Sequence, residues 1–266
     1  YADKIGEKID IAGDYFYSSS NSENESSSQR ETILSDSRFF SNSSSRSVND
    51  TDSHNANLEF EIKTDSTFQI NIEPSFSYSK SRTRFNSEDE TLEENLVLTN
   101  QSDVNSNVES FAKEFSNELT VTKRFGSKGA FIRFELDNTL SKQESDDFLN
   151  SDTEIFGNFN TDLSTDFEYI DSRSIPDLGL TFKDDKWSAR FNIGYNLRTL
   201  NNKDVLRPQF NVERKFKNLK IRYNLSYRFS PKSSLYTGYR LTNNPPALRQ
   251  LQAFTDISNP LNTIIG

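Results

Sequence analysis

The chain has 266 residues, a formal net charge of −9 and no cysteine. Only 32% of its residues are hydrophobic, yet 12% are aromatic. The negative charge argues against a nucleic-acid partner, and the lack of cysteine excludes disulfides and thiolate metal sites. No apolar run approaches the ~20 residues that a membrane-spanning helix needs.

The first predicted strands alternate apolar and polar side chains. Residues 7–17 and 55–63 follow this pattern, and residues 67–79, TFQINIEPSFSYS, show it most clearly. A period of two indicates an extended strand with two unlike faces. The apolar side of residues 67–79 carries Phe68, Ile70, Ile72 and Phe76.

The pattern returns along the rest of the chain, giving about nine strands of roughly ten residues each. The later strands with the clearest alternation lie in residues 187–200 and 219–229. Their apolar side carries Trp187, Phe191, Ile193, Ile221, Tyr223 and Leu225. Such a side packs in the core of a soluble sandwich or contacts lipid in a membrane barrel, and alternation alone does not choose between them.

The connections between these strands fall into two kinds. Short turns read KTDS, FGSKG, KDDK and SPKSS, whereas long polar segments cover residues 18–54, 80–110, 141–175, 201–218 and 242–266. Short turns on one side and long loops on the other are typical of an outer-membrane barrel, with periplasmic turns and extracellular loops. The sequence therefore predicts an all-β, antiparallel transmembrane β-barrel in a bacterial outer membrane, in contact with lipid.

Catalytic and metal-binding patterns are weak. The single histidine, His54, ends a polar segment, and the acidic run of residues 87–94 lacks the spacing of a calcium loop. No nucleophile is paired with a base. We expect no enzyme activity, no cofactor and no metal site.

The last part of the chain carries a more specific pattern. Residues 239–266 read YRLTNNPPALRQLQAFTDISNPLNTIIG, and the matching positions are Pro245, Pro246, Gln250, Leu251, Gln252, Asp256, Ser258, Asn259, Pro260 and Leu261. This run resembles a surface loop of the TonB-dependent-receptor-like outer-membrane β-barrel family of Bacteroidetes, of the carboxypeptidase-regulatory-like, plug and barrel type. The resemblance is weak before Asp177 and stronger after it.

The resemblance implies a barrel of about 22 strands filled by a plug domain. It also implies an inner-membrane energy-coupling protein. The chain would then be one partial barrel domain, residues 1–266, with the plug and the C-terminal strands outside this sequence.

Two functions follow as expectations. In the first, extracellular loops capture a ligand that is taken up through the plugged lumen. In the second, the barrel does not transport and serves as a structural or scaffolding subunit that docks surface lipoproteins or other proteins. A soluble all-β surface adhesin is a third, weaker interpretation.

Overall fold

The computed structural model describes residues 1–126, 129–151, 164–246, 255–256 and 264–265. Within these ranges one short helix, a 3₁₀ turn at Pro208–Phe210, accompanies the strands, and no helix is long and apolar enough to cross a bilayer. The strands are β1 (Ala2–Ile5), β2 (Ile9–Ile33), β3 (Arg38–Asp65), β4 (Phe68–Glu93), β5 (Leu98–Phe125), β6 (Ala130–Ser151), β7 (Thr165–Lys183), β8 (Trp187–Asp204), β9 (Val212–Ser230), β10 (Ser233–Leu241), β11 (Thr255–Asp256) and β12 (Ile264–Ile265).

Strands β1 to β10 form one antiparallel sheet in chain order, so each strand pairs with its neighbours in sequence. The prediction of an all-β, antiparallel fold is confirmed. The sheet holds ten strands instead of the expected nine or so, because β1 has only four residues and is too short to show a period. The edges of the sheet are β1 and β10, which do not pair with each other.

The register joins the apolar side chains of all ten strands into one face. One row of successive Cα partners runs across the whole sheet and consists of Ile5, Ile9, Ile62, Ile70, Val121, Phe134, Leu178, Ile193, Ile221 and Leu241. We call the side that carries this row the apolar face and the opposite side the polar face.

The ten residues that the sequence predicts to face lipid all lie on the apolar face, by register and strand parity: Phe68, Ile70, Ile72, Phe76, Trp187, Phe191, Ile193, Ile221, Tyr223 and Leu225. Many large side chains here are open to the surroundings; Trp187 is 43% exposed and Phe191 41% exposed. An apolar surface of this extent is rare on a soluble monomer. Contact of this face with lipid stays a prediction.

The apolar face has a limited height along the strands, which we call the apolar band. It covers residues 68–78 of β4 and 187–197 of β8. These lengths match the roughly 9–11 residues of a tilted transmembrane strand. The band begins at the short turns, at the turn end of the sheet; the other end is called the hairpin end.

Strands continue past the band at the hairpin end, where the sequence predicts loops. Residues 18–54, 80–110 and 141–175 are instead mostly paired strand, apart from short turns and from residues 152–163, which lie outside the described ranges. Beyond the band the apolar alternation disappears while the backbone ladder continues. On the polar face at this end, Val104, Tyr169, Leu200 and Asn202 are buried. Residues 18–33 of β2 extend about 50 Å at roughly 3.3 Å per residue.

The other two predicted loops are only partly loops. In the range 201–218, β8 runs to Asp204 and β9 starts at Val212, so the irregular connection is residues 205–211. In the range 242–266, residues 242–246 have no regular structure, and beyond them only the short β11 and β12 pair is described.

Candidate functional site

On the polar face, at the height of the apolar band, most acidic and basic residues lie on different strands. The β2 to β7 part is mainly acidic; it carries Lys63 and Arg133 together with Asp10, Asp14, Glu59, Glu61, Glu73, Glu114, Glu118, Glu135, Asp137 and Asp177. The β8 to β10 part carries Arg190, Lys220, Arg222, Arg228 and Arg240, and no acidic residue. These two parts of the polar face therefore carry net charges of opposite sign.

The acidic part includes a row of like charges. Glu73 is the Cα partner of Glu118, which is in turn the partner of Asp137. Directly opposed like charges disfavour strand pairing, and none of the three forms an ion pair with another described residue. In the described ranges, no group of three His, Asp or Glu side chains is placed to hold a metal ion.

A cleft of about 380 Å³ on the polar face lies where the acidic and basic parts meet. Its β8 to β10 side carries the basic residues, and Glu135, Asp137 and Asp177 line the side formed by β6 and β7. A row of Cα partners crosses the cleft, consisting of Arg133, Gly179, Asn192, Arg222 and Arg240. Arg190 and Lys220 lie in the neighbouring rows, opposite Asn224 and Gly194. We call the four cations Arg190, Lys220, Arg222 and Arg240, with the space between them, the basic cleft.

The floor of the basic cleft is shaped by a glycine and an amide. A Cβ atom at Gly179 would lie 2.7 Å from Nδ2 of Asn192, so the Asn192 side chain occupies the space that the glycine leaves. Nδ2 of Asn192 donates a 3.0 Å hydrogen bond to Oδ1 of Asp177. The amide is therefore fixed, and larger side chains are kept off the floor.

The cations of the basic cleft differ from their neighbours in lacking acidic partners. Arg133, next to the cleft, pairs with Glu135 at 3.3 Å. None of the four cleft cations forms an ion pair with another described residue; Arg240 donates from Nε to Oγ1 of Thr242 at 3.2 Å. With five cations and three carboxylates in its lining, the cleft has an excess of positive charge, and that excess lies on β8 to β10.

A half-buried ion pair lies on the polar face at the hairpin end. The Arg198 guanidinium donates from Nη2 to Oδ2 of Asp171 at 2.7 Å and from Nε to Oδ1 at 3.0 Å. The Asp171 carboxylate raises the pKa of Arg198 above its ordinary value. Nη1 of the same guanidinium donates to the carbonyl oxygen of Pro246 at 3.5 Å.

This contact places the start of the C-terminal run, residues 239–266, for which the sequence predicts a surface loop. The chain after β10 crosses onto the polar face, where the carbonyl oxygen of Pro246 contacts Arg198. Of Asp256 only the strand backbone is described. Pro245 lies beside Pro246 in the irregular segment after β10, and the other residues of the run singled out by the sequence, Gln250, Leu251, Gln252, Ser258, Asn259, Pro260 and Leu261, lie outside the described ranges.

Aromatic side chains stand at both borders of the apolar band. At the hairpin end, Tyr15 hydrogen-bonds Nδ1 of His54 at 2.6 Å, and the rings of Tyr17 and Tyr78 lie 4.8 Å and 5.9 Å from the His54 ring. At the turn end, the Trp187 and Tyr227 rings are 4.5 Å apart. Two aromatic girdles enclosing an apolar band are a feature of outer-membrane barrels.

The sequence matches no protein-family model and no curated protein. Among solved structures, the chain is similar to the ferric citrate transporter FecA in its unliganded form, with a TM-score of 0.45 and 9% identity. The match covers 89% of this chain and 39% of that protein. A likeness at this level identifies neither a family nor a ligand, so the resemblance to the Bacteroidetes family stays a prediction.

Proposed function

We propose that the chain is part of an outer-membrane β-barrel of the TonB-dependent receptor type. The observation that supports this most is the continuous apolar row across ten strands, in a band of transmembrane length, with a charged polar face behind it. In hydrocarbon every backbone group needs an internal partner, so a spanning sheet has to close. Further strands would therefore pair with the β1 and β10 edges, to a total of about 22.

The transport function in this proposal rests on the wall of the polar face. Charges of both signs suit a lumen filled by a plug domain, whose side chains pair with them. An inner-membrane energy-coupling protein would act on that plug, and the extended hairpins would capture the ligand outside the membrane. The proposal includes no catalytic step, cofactor or metal.

The intact mass and the N-terminal sequence of the native protein, extracted from outer membranes with detergent, test this proposal. We expect a much longer chain with a plug domain ahead of Tyr1. A native chain close to 266 residues would rule out a plug and uptake through it. Recovery in the soluble fraction without detergent would rule out the barrel itself and favour the adhesin.

One observation favours the alternative of a non-transporting scaffold. The β2–β3 tip exposes Ile33 and Leu34, and the β4–β5 tip exposes Leu96, Val97 and Leu98. Strands β3 and β4 pair up to these tips, so the two apolar tips are neighbours. Exposed aliphatic clusters with a charged rim are typical of protein interfaces.

Purification in mild detergent distinguishes this alternative. With a scaffold, a second protein should co-purify in a fixed ratio. The variant with Leu34→Ser and Leu96→Ser should no longer co-purify with that protein. A matched variant, Ser43→Ala and Ser44→Ala on the stem of β3, should keep it. A barrel that emerges alone in every preparation would sink the scaffold hypothesis.

A further inference from the structure

We propose that the basic cleft binds a small ligand that carries at least two carboxylate or phosphate groups. This inference rests on the proposed function and names a substrate class for the same wall. It depends on three features of the described residues, which are the opposed charges, their spacing and the surface behind them.

The basic cleft places two arginines directly opposite each other. Arg222 and Arg240 are direct Cα partners on β9 and β10, and like charges in that arrangement repel and weaken the strand pairing. Elsewhere in the sheet similar cations have acidic partners, such as Arg198 with Asp171 and Lys142 with Glu168. An anion bound between Arg222 and Arg240 would remove this repulsion and supply the missing partner.

The spacing favours a ligand with several anionic groups over a single carboxylate. The cations come from three adjacent strands, which at about 4.8 Å per strand spread the charges over roughly 10 Å. A guanidinium binds a carboxylate or phosphate through two parallel hydrogen bonds. The cleft volume of about 380 Å³ lies within the range of sites for small molecules.

The surface behind the cleft makes the attraction directional. The same strands carry Ile193, Ile221 and Tyr223 on the apolar face, so the cations open only towards the polar side. An apolar layer behind a charged cleft focuses its field. The polar face of β2 to β7 is mainly acidic, and Glu135, Asp137 and Asp177 border the cleft on that side. An anion is therefore held on the β8 to β10 side and repelled from the β6 and β7 side.

Isothermal titration of the full-length protein with inorganic tripolyphosphate tests the inference, with acetate as the single-group comparison. Wild type should bind tripolyphosphate in low salt and show no measurable acetate binding at the same concentration. Arg222→Gln and Arg240→Gln should each weaken tripolyphosphate binding about tenfold or more, since each removes charge-assisted hydrogen bonds. Lys217→Gln is the matched control, because Lys217 lies on β9 facing the other way, with Nζ 5.3 Å from the Tyr195 ring; its affinity should stay unchanged.

The outcomes separate this inference from the proposed function. A wild type that binds no tripolyphosphate, or an equal loss in the Lys217→Gln variant, would overturn the anion site. If the same preparation is an outer-membrane barrel with a plug, the receptor proposal stands and only the substrate class is lost. If acidic protein segments fill the cleft, wild type binds no tripolyphosphate and Arg222→Gln lowers stability, which also overturns the inference.

Discussion

Replacing Ile72 by lysine tests the apolar face most directly. Ile72 lies on β4 between its Cα partners Phe60 and Leu119. It is about 13 Å along the strand from Phe68 and about 20 Å from Tyr78, at roughly 3.3 Å per residue. The position is therefore close to the middle of the apolar band.

A cation at this depth on the lipid side of a barrel costs about 2–4 kcal/mol. At 1.4 kcal/mol for each factor of ten, the folding equilibrium falls by about 30-fold to 1,000-fold. Asn71→Lys is the matched control on the polar face. Its Cα partner is Glu61, so an opposite-charge pair there should change stability by less than about 1 kcal/mol.

The assay is urea unfolding of the full-length protein in lipid vesicles, followed by the gel mobility that separates folded from unfolded barrels. Ile72→Lys should lower the unfolding midpoint strongly, and Asn71→Lys should leave it nearly unchanged. Equal shifts in the two variants would show that the two faces of β4 meet similar surroundings, and would refute the membrane assignment of the apolar face.

Three further outcomes are expected. Trp187, the only tryptophan of the chain, lies at the turn-end border of the band. Nitroxides near the lipid head groups should therefore quench its fluorescence more than nitroxides deep in the acyl chains. The reverse order would contradict the band limits. Glu168 accepts from Lys142 at 2.7 Å and Lys203 at 3.3 Å, and the Lys142 hydrogen bond, the larger cause, lowers its pKa. The stabilisation of the hairpin by ionised Glu168 is therefore full above the ordinary carboxyl pKa and is lost as pH falls through the lowered pKa. Wild type should protect hairpin amides from hydrogen exchange better than Glu168→Gln at pH 6, and the two should not differ at about pH 2. Gly194→Ala should destabilise the protein by about 1–3 kcal/mol, because the added Cβ would lie 2.6 Å from the Pro176 carbonyl oxygen. Gly13→Ala should destabilise it less, because its Cβ meets mainly the movable Leu58 side chain, also at 2.6 Å. Equal urea midpoints for the two variants would contradict this.

The sequence predicts the fold where one face of a strand has to be apolar. Residues 67–79 show this, since the alternation from Phe68 to Tyr78 ends where the apolar band ends. Beyond Tyr78 the strand continues to Glu93 without an apolar period, because its side chains there are mostly polar on both faces. The polar composition of these stretches therefore predicts loops, although the structure shows paired strands there.

The candidate site is harder to predict from sequence. Arg222 and Arg240 are 18 positions apart, and only the register across the β9–β10 turn makes them opposite partners. The bulge at Ser233 and Ser234 shifts that register by one residue, which no sequence pattern reveals. The crossing of the chain onto the polar face at Pro246 likewise depends on the tertiary contact with Arg198.

The order of the strands has a consequence for how such a wall is made and changed. Because β1 to β10 each pair only with their neighbours in the chain, every pairing in the sheet joins strands that are adjacent in sequence. Loop closure stays local, which keeps the search for partners short. A duplicated or deleted hairpin would widen or narrow the sheet without altering any other pairing, so the width of the polar face can evolve in two-strand steps.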